Sequence, residues 1–158
     1  MGTYMSYPYF LFLNALTVSS VVKIYFQVRD KKMAHPSNFG DWMGRLKAMH
    51  DADYPGGVVV DPTPVTAGDE ITILYNGLLA KSGADQVYLH AGFGDARNWQ
   101  GVGDLKMSRT GWGWVKTIEM PAESRFNFCF RDSANNWDNN NGLNWSYEIH
   151  NGRLPEAF

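Results

Sequence analysis

The sequence predicts an all-β protein: an antiparallel β-sandwich of the immunoglobulin-like kind, with a short N-terminal helix and an appended N-terminal segment. Short segments alternate apolar and polar residues with a period of two, and Gly- and Asn-rich turns separate them. The chain has 158 residues, of which 44% are hydrophobic and 19% are charged. That composition is enough for one domain core without disulfides or bound metal.

Residues 1–32 are predicted to be an apolar extension outside the fold. The first charged side chain is Lys23. The apolar stretch Tyr7–Phe26 is short and interrupted by polar residues, and its basic flank follows it, which is typical neither of a membrane anchor nor of a signal peptide. We therefore expect no membrane partner, and a cytoplasmic location is favoured over a secreted or membrane-anchored one.

Residues 33–64 are predicted to hold one short helix and a linker. Asp41 can cap a helix over residues 38–52, whose apolar face would pack on the core. Apolar side chains recur in it at helical spacing, namely Trp42, Leu46 and Met49. A stretch rich in Pro and Gly follows, so we place the start of the sandwich at residue 65.

Residues 65–152 are predicted to form the sandwich. Period-two patterns mark six segments, at 71–75, 86–90, 105–109, 112–120, 126–130 and 145–149. In the fifth segment Phe126, Phe128 and Phe130 share one face. We expect Trp112, Trp114 and Trp145 to be structural parts of the sandwich.

Two of the six Trp do not fit a core. Trp99 follows a turn-rich polar segment, and Trp137 lies in a loop with six Asn between positions 135 and 144. Exposed indole is costly in water, so either each loop folds over its own ring or a ligand covers it. Because two loops show the same feature, we interpret both rings as a ligand-binding surface.

The chemistry of this surface suits a sugar. An indole stacks on the apolar face of a pyranose, while Asn and His exchange hydrogen bonds with its hydroxyl rim. His90 directly precedes the Trp99 loop and lies on the strand face opposite Leu89. The predicted carbohydrate-binding residues are His90, Trp99, Trp137, Asp138, Asn139 and Asn140.

Several motifs together resemble carbohydrate-binding module family 25 and the related family 53 modules of starch synthases. They are His90-Ala91-Gly92-Phe93-Gly94 with Trp99, Lys106-Met107, Gly113-Trp114, Pro121, Phe128-x-Phe130-x-Asp132 and Trp137-Asp138-Asn139-Asn140-x-Gly142-x-Asn144-Trp145. The resemblance covers residues 65–150. It implies a β-sandwich that binds α-1,4- and α-1,6-linked glucans, with the sugar platform of the family at His90, Trp99 and Trp137.

The resemblance also implies a function without catalysis. The binding partners of the protein would be starch, glycogen or malto-oligosaccharide. A glucan-active enzyme would be a further partner, since such modules usually accompany amylases. We expect no cofactor and no metal site, because the lone cysteine, Cys129, excludes a cysteine-based zinc site. The net charge of −2 argues against a nucleic-acid partner.

Two alternatives from other classes stay open on the residues alone. One is a protein-interaction sandwich that uses the same two Trp as binding hot spots. The other is a small glycoside hydrolase, which needs two carboxyl groups about 5–10 Å apart. Four carboxylates could serve, namely Asp95, Asp104, Asp132 and Asp138, although their spacing singles out no pair and the last two are typical of turn-capping residues.

Overall fold

A computed structural model of the protein describes residues 35–40 and 43–152. The extension predicted at 1–32 therefore lies outside the described residues, as do the predicted cap Asp41 and its neighbour Trp42. All the described residues belong to one structural unit, Ala34–Phe158.

Two antiparallel sheets make up this unit and confirm the predicted all-β sandwich. The strands are β1 Val58–Asp61, β2 Glu70–Tyr75, β3 Val87–Phe93, β4 Gln100–Lys106, β5 Ser108–Thr110, β6 Gly113–Glu119, β7 Arg125–Asp132, β8 Trp137–Asp138 and β9 Trp145–Glu148. The first sheet has the order β1-β2-β6-β5. The second has the order β4-β3-β7-β8, and β9 pairs with β7 beside β8. The helices are α1 Arg45–Asp51, α2 Leu78–Lys81 and a 3-10 turn at Pro55–Gly57.

The main core lies between the two sheets, where the period-two pattern places alternate side chains. Ile73 and Tyr75 of β2 point inward from the first sheet, and Phe128 and Phe130 of β7 point inward from the second. The Tyr75 and Phe130 rings stack with their centroids 3.9 Å apart. Complete burial of each such side chain stabilises the fold by about 1.5–3 kcal/mol.

The predicted helix is shorter than its sequence pattern, because a buried carboxylate holds the preceding chain in a turn. Asp61 is fully buried at the end of β1. It accepts hydrogen bonds from the Ser37 hydroxyl at 2.6 Å, the Asn38 backbone N–H at 2.7 Å and Arg45 Nε at 2.5 Å. Residues 38–40 are consequently not helical, and α1 begins only at Arg45.

Helix α1 packs on the outer face of the first sheet, as its apolar spacing predicts. Met49 is fully buried against Val59 and Leu74, and Leu46 packs beside them. Leu74 packs on α1 while its neighbours Ile73 and Tyr75 pack in the main core, because adjacent residues of a strand point to opposite faces.

The segment predicted as a linker contributes a strand. All four residues of β1 are buried, and Val58 lies opposite Tyr75 of β2. The first strand therefore lies upstream of residue 65, where the sequence pattern places the start of the sandwich. Four residues between Gly- and Pro-rich flanks are too few to show a period-two pattern.

The two Trp of the fourth predicted segment have different environments. Trp114 is a core residue, 4% exposed, as predicted. Trp112, also predicted to be structural, is 38% exposed and therefore lies outside the core. It lies in the turn before β6, where its ring contacts His50 and Lys47 of α1. Trp145 packs on Phe128 at the core edge and is structural, as predicted.

Candidate functional site

His90 lies at the middle of β3 and faces outward from the second sheet. Its strand neighbours Val87 and Leu89 are completely buried, whereas the His90 side chain is 27% exposed. In the sheet, His90 lies opposite Asp104 of β4 and Cys129 of β7. The outward orientation predicted for His90 is confirmed by the alternation of the strand.

Two indole rings flank the His90 imidazole. The Trp99 ring lies 6.1 Å from it between centroids, tilted by 37°. The Trp137 ring lies 5.1 Å from it, at an interplanar angle of 86°. These rings line an open depression of about 500 Å³, which we call the aromatic groove. Its other lining residues are Ala96, Arg97, Asn98, Val102, Cys129, Asn139 and Asn144.

The loop that carries Trp99 is held by its own hydrogen bonds. The Trp99 indole N–H donates to the carbonyl of Ala96 at 2.9 Å, and Asp95 accepts from the backbone N–H of Arg97 at 2.7 Å. Gly92 allows the close approach of this loop, since a Cβ there would lie 3.0 Å from Trp99 Cβ. Because the indole N–H is already bonded, Trp99 offers a ligand its ring face rather than a donor.

The loop that carries Trp137 begins on a capping carboxylate. Asp132 accepts from the backbone N–H of Ala134 at 2.9 Å, and from the backbone and side-chain nitrogens of Asn136 at 2.8 Å each. These hydrogen bonds lower the pKa of Asp132, the Asn136 side chain most of all. The turn-capping role predicted for Asp132 is confirmed.

Backbone geometry explains much of the Asn-rich composition. Four of the six Asn have positive φ: Asn135 at 63°, Asn140 at 54°, Asn141 at 55° and Asn144 at 56°. Asn adopts this left-handed conformation more readily than most non-glycine residues. Of these four, only Asn140 is among the predicted sugar-binding residues, and at all four positions Asn suits the path of the chain.

The structure brings four of the six predicted site residues together and separates the other two. His90, Trp99, Trp137 and Asn139 line the aromatic groove. Asp138 and Asn140 line a different depression, on the other side of the loop. The Asp138 carboxylate there accepts from the Tyr75 hydroxyl at 2.7 Å, and Asn140 Nδ2 donates to the carbonyl of Asn144 at 3.2 Å.

The groove also contains residues that sequence reasoning missed. Arg97 and Asn98 directly precede Trp99, and Asn144 ends the loop that carries Trp137. Their proximity to the two Trp was the available signal, but only the turn conformations decide which side chains face the groove. Cys129 forms part of its floor, and burial raises the pKa of the Cys129 thiol to about 11.

A charged pair lies beside His90 in the second sheet. Arg131 of β7 donates to Asp104 Oδ2 from Nε at 3.0 Å and from Nη2 at 2.8 Å. The other oxygen, Oδ1, lies 2.8 Å from His90 Nδ1. The Arg131 hydrogen bonds, with a smaller contribution from His90, hold the pKa of Asp104 below its usual range.

The four carboxylates that could serve a hydrolase all have hydrogen-bond partners within the protein. They accept hydrogen bonds from their neighbours: Asp95 from Arg97, Asp104 from His90 and Arg131, Asp132 from Ala134 and Asn136, and Asp138 from Tyr75. Among the residues that the structure describes, none of these four carboxylates lines the aromatic groove.

Within 35–40 and 43–152, no group of three or more His, Cys, Asp or Glu side chains could hold a metal ion. In the same part of the chain, no helix is long and apolar enough to span a bilayer.

The described residues thus form a β-sandwich that carries an open aromatic groove. The family model described as starch/carbohydrate-binding module (family 53) matches residues 71–128, which include His90 and Trp99 and end before Trp137. Family 53 is one of the two families that the sequence resembles. No solved structure matches the chain.

One curated relative is an alpha-amylase of Clostridium acetobutylicum. It is 40% identical over 88 residues, which cover 54% of this chain and 11% of the amylase. The matched part of the chain thus spans about a tenth of the length of that enzyme.

Proposed function

We propose that this protein binds α-glucan without catalysis, and that the aromatic groove is its binding site. The observation that carries the proposal is the arrangement of Trp99 and Trp137 on either side of His90 on an open face. Trp137 is 47% exposed, so a ligand stacked on its indole would remove a large apolar surface from water.

The groove offers both kinds of contact that a sugar chain needs. The indole faces stack on the apolar faces of successive glucose units, and a curved α-glucan suits two rings held at an angle. The amides of Asn139 and Asn144 lie beside the rings and can each donate to and accept from sugar hydroxyls. A shallow, wet site of this kind gives affinities on the order of micromolar to millimolar, or about −4 to −8 kcal/mol.

Two findings favour α-glucan and a binding role. The matching family model describes a starch/carbohydrate-binding module, and the curated relative is an alpha-amylase. The engaged carboxylates support binding without hydrolysis, since none of the four candidates faces the groove. A segment covering 11% of an amylase is also what a module accompanying a glucan-active enzyme would occupy, and we propose such an enzyme as the partner.

Truncation of the two indoles tests the site. Trp99→Ala and Trp137→Ala should each weaken binding of maltoheptaose and glycogen about tenfold or more, because stacking supplies most of the affinity. Isothermal titration and affinity gel electrophoresis measure the change, with cellulose and xylan as polysaccharides that the protein should not bind.

Trp112→Ala is the matched control, because Trp112 is a partly exposed indole outside the groove. It should bind maltoheptaose like the wild type. Folded Trp99→Ala and Trp137→Ala variants with wild-type affinity would refute the site. Wild-type protein that ignores every α-glucan would refute the function and favour a protein partner for the same rings.

A further inference from the structure

The Asp104 carboxylate contacts His90 with one oxygen and Arg131 with the other. Oδ1 of Asp104 lies 2.8 Å from His90 Nδ1, while Oδ2 accepts two hydrogen bonds from Arg131, at 2.8 and 3.0 Å. The Asp104 side chain is 34% exposed and stands on β4, directly across the ladder from His90.

The charge of this carboxylate decides which ring nitrogen carries the proton. The paired Arg131 guanidinium keeps the pKa of Asp104 low, so the carboxylate is ionised at neutral pH and can only accept hydrogen bonds. The hydrogen bond at Nδ1 of His90 must therefore be donated by Nδ1–H. In the neutral imidazole the other nitrogen, Nε2, then carries the lone pair.

Nε2 is the nitrogen left for a ligand. In the described part of the chain no hydrogen bond engages it, and no buried side-chain nitrogen or oxygen there lacks a partner, so Nε2 is open to solvent. We propose that Asp104 is a positioning residue of the groove. It holds the imidazole between the two indoles and fixes the Nδ1–H tautomer, so that Nε2 accepts a hydrogen bond from a glucan hydroxyl. This inference rests on the proposed function.

Arg131 extends the same support to the second indole. Its Nη1 donates to Asn135 Oδ1 at 3.3 Å, in the loop that leads to Trp137, and its guanidinium lies 4.6 Å from the centroid of the Tyr88 ring. One guanidinium thus ties the carboxylate behind His90 to the loop that carries Trp137. The edge of Trp137 and the His90 ring meet at nearly a right angle within this frame.

The tautomer itself can be observed without any sugar. Nitrogen-15 NMR of the neutral His90 ring distinguishes its protonated nitrogen from its unprotonated one. The wild type should show Nδ1–H, and Asp104→Ala should shift the ring toward Nε2–H. Asp104→Asn, which keeps the shape and removes the charge, should shift it in the same direction and serves if the alanine variant does not fold. An Nε2–H wild type, or a tautomer unchanged in a folded variant, would overturn the inference.

Binding measurements show whether Asp104 acts through His90. Asp104→Ala should weaken binding of maltoheptaose roughly three- to tenfold, the value of one hydrogen bond. In a His90→Ala background the same change should have no further effect, because the residue through which it acts is gone. Equal losses in both backgrounds would show an independent role and overturn the proposal.

A control variant and the wild type distinguish failure of the positioning role from failure of the proposed function. Asp51→Ala removes an exposed carboxylate paired with Lys47 and His50 outside the groove, and it should leave the affinity unchanged. Wild-type protein that does not bind maltoheptaose would refute the proposed function. A wild type that binds maltoheptaose but holds His90 as Nε2–H would refute the positioning role alone.

Discussion

Removal of one hydroxyl, in Tyr75→Phe, should destabilise the fold while leaving its packing intact. The Tyr75 hydroxyl donates to Asp138 of β8 at 2.7 Å and accepts from the backbone N–H of Leu79 at 2.9 Å. Tyr75 is completely buried, and its ring stacks on Phe130. The phenylalanine keeps that ring contact, so the substitution isolates the two hydrogen bonds.

The expected loss of stability follows from the two groups that lose a hydrogen bond to Tyr75. A hydrogen bond to a charged group contributes about 1.5–3 kcal/mol, and a neutral one about 1 kcal/mol. Leu79 is 3% exposed, so its N–H would be left without water. Asp138 is half-buried, and water can replace part of its loss. We therefore expect the free energy of unfolding to fall by about 2–3 kcal/mol.

The free energy of unfolding at alkaline pH gives a second measure of the contribution of the Tyr75 hydroxyl. Burial, and next the hydrogen bond to Asp138, raise the pKa of Tyr75 above its ordinary value. Above about pH 10 the unfolded chain ionises this phenol while the folded protein keeps it protonated. The free energy of unfolding should therefore decline there by up to about 1.4 kcal/mol per pH unit, and Tyr75→Phe should lack this part of the decline.

Urea denaturation at neutral pH and across the alkaline range measures both effects. Tyr147→Phe is the matched control, since its hydroxyl makes no hydrogen bond with the described residues; it should cost less than about 0.5 kcal/mol at neutral pH. If Tyr75→Phe is as stable as Tyr147→Phe, the two hydrogen bonds contribute nothing to the free energy of unfolding and the prediction is wrong.

Two further predictions concern the core and the groove floor. Trp114→Ala should lower the free energy of unfolding in urea by about 3–5 kcal/mol because the ring is buried, whereas Trp112→Ala should cost less than about 1 kcal/mol; equal losses would contradict the assigned environments. Cys129, buried and with its pKa raised to about 11, should resist a thiol reagent near pH 8 in the folded protein and react in urea; rapid modification before unfolding would show an open thiol.

Local patterns predict the strands of this protein better than its helix. The alternation around Ile71 and Phe128 predicts β2 and β7, because side chains of a strand alternate between the core and the opposite face. The start of α1 could not be predicted in this way. It depends on the buried Asp61, which lies 16 residues beyond Arg45 and reaches it only in the folded chain.

The position of the indoles in the groove was predictable, but that of the neighbouring loop residues was not. Trp99 and Trp137 lie in segments too polar to enter a core, and His90 alternates with a buried Leu89. The place of Asp104 and Arg131 next to the groove could not be predicted from the sequence. Only the pairing of β4, β3 and β7 brings them beside His90.

By itself, the sequence determines that two indoles and a histidine remain outside the core, since composition and alternation act locally. Only the tertiary structure decides which neighbours join them. Trp137 and Asp138 are adjacent in the chain, yet the pleat of β8 sends the first toward His90 and the second toward the buried Tyr75. Strand pairing over long sequence distances, rather than any local motif, assembles the groove.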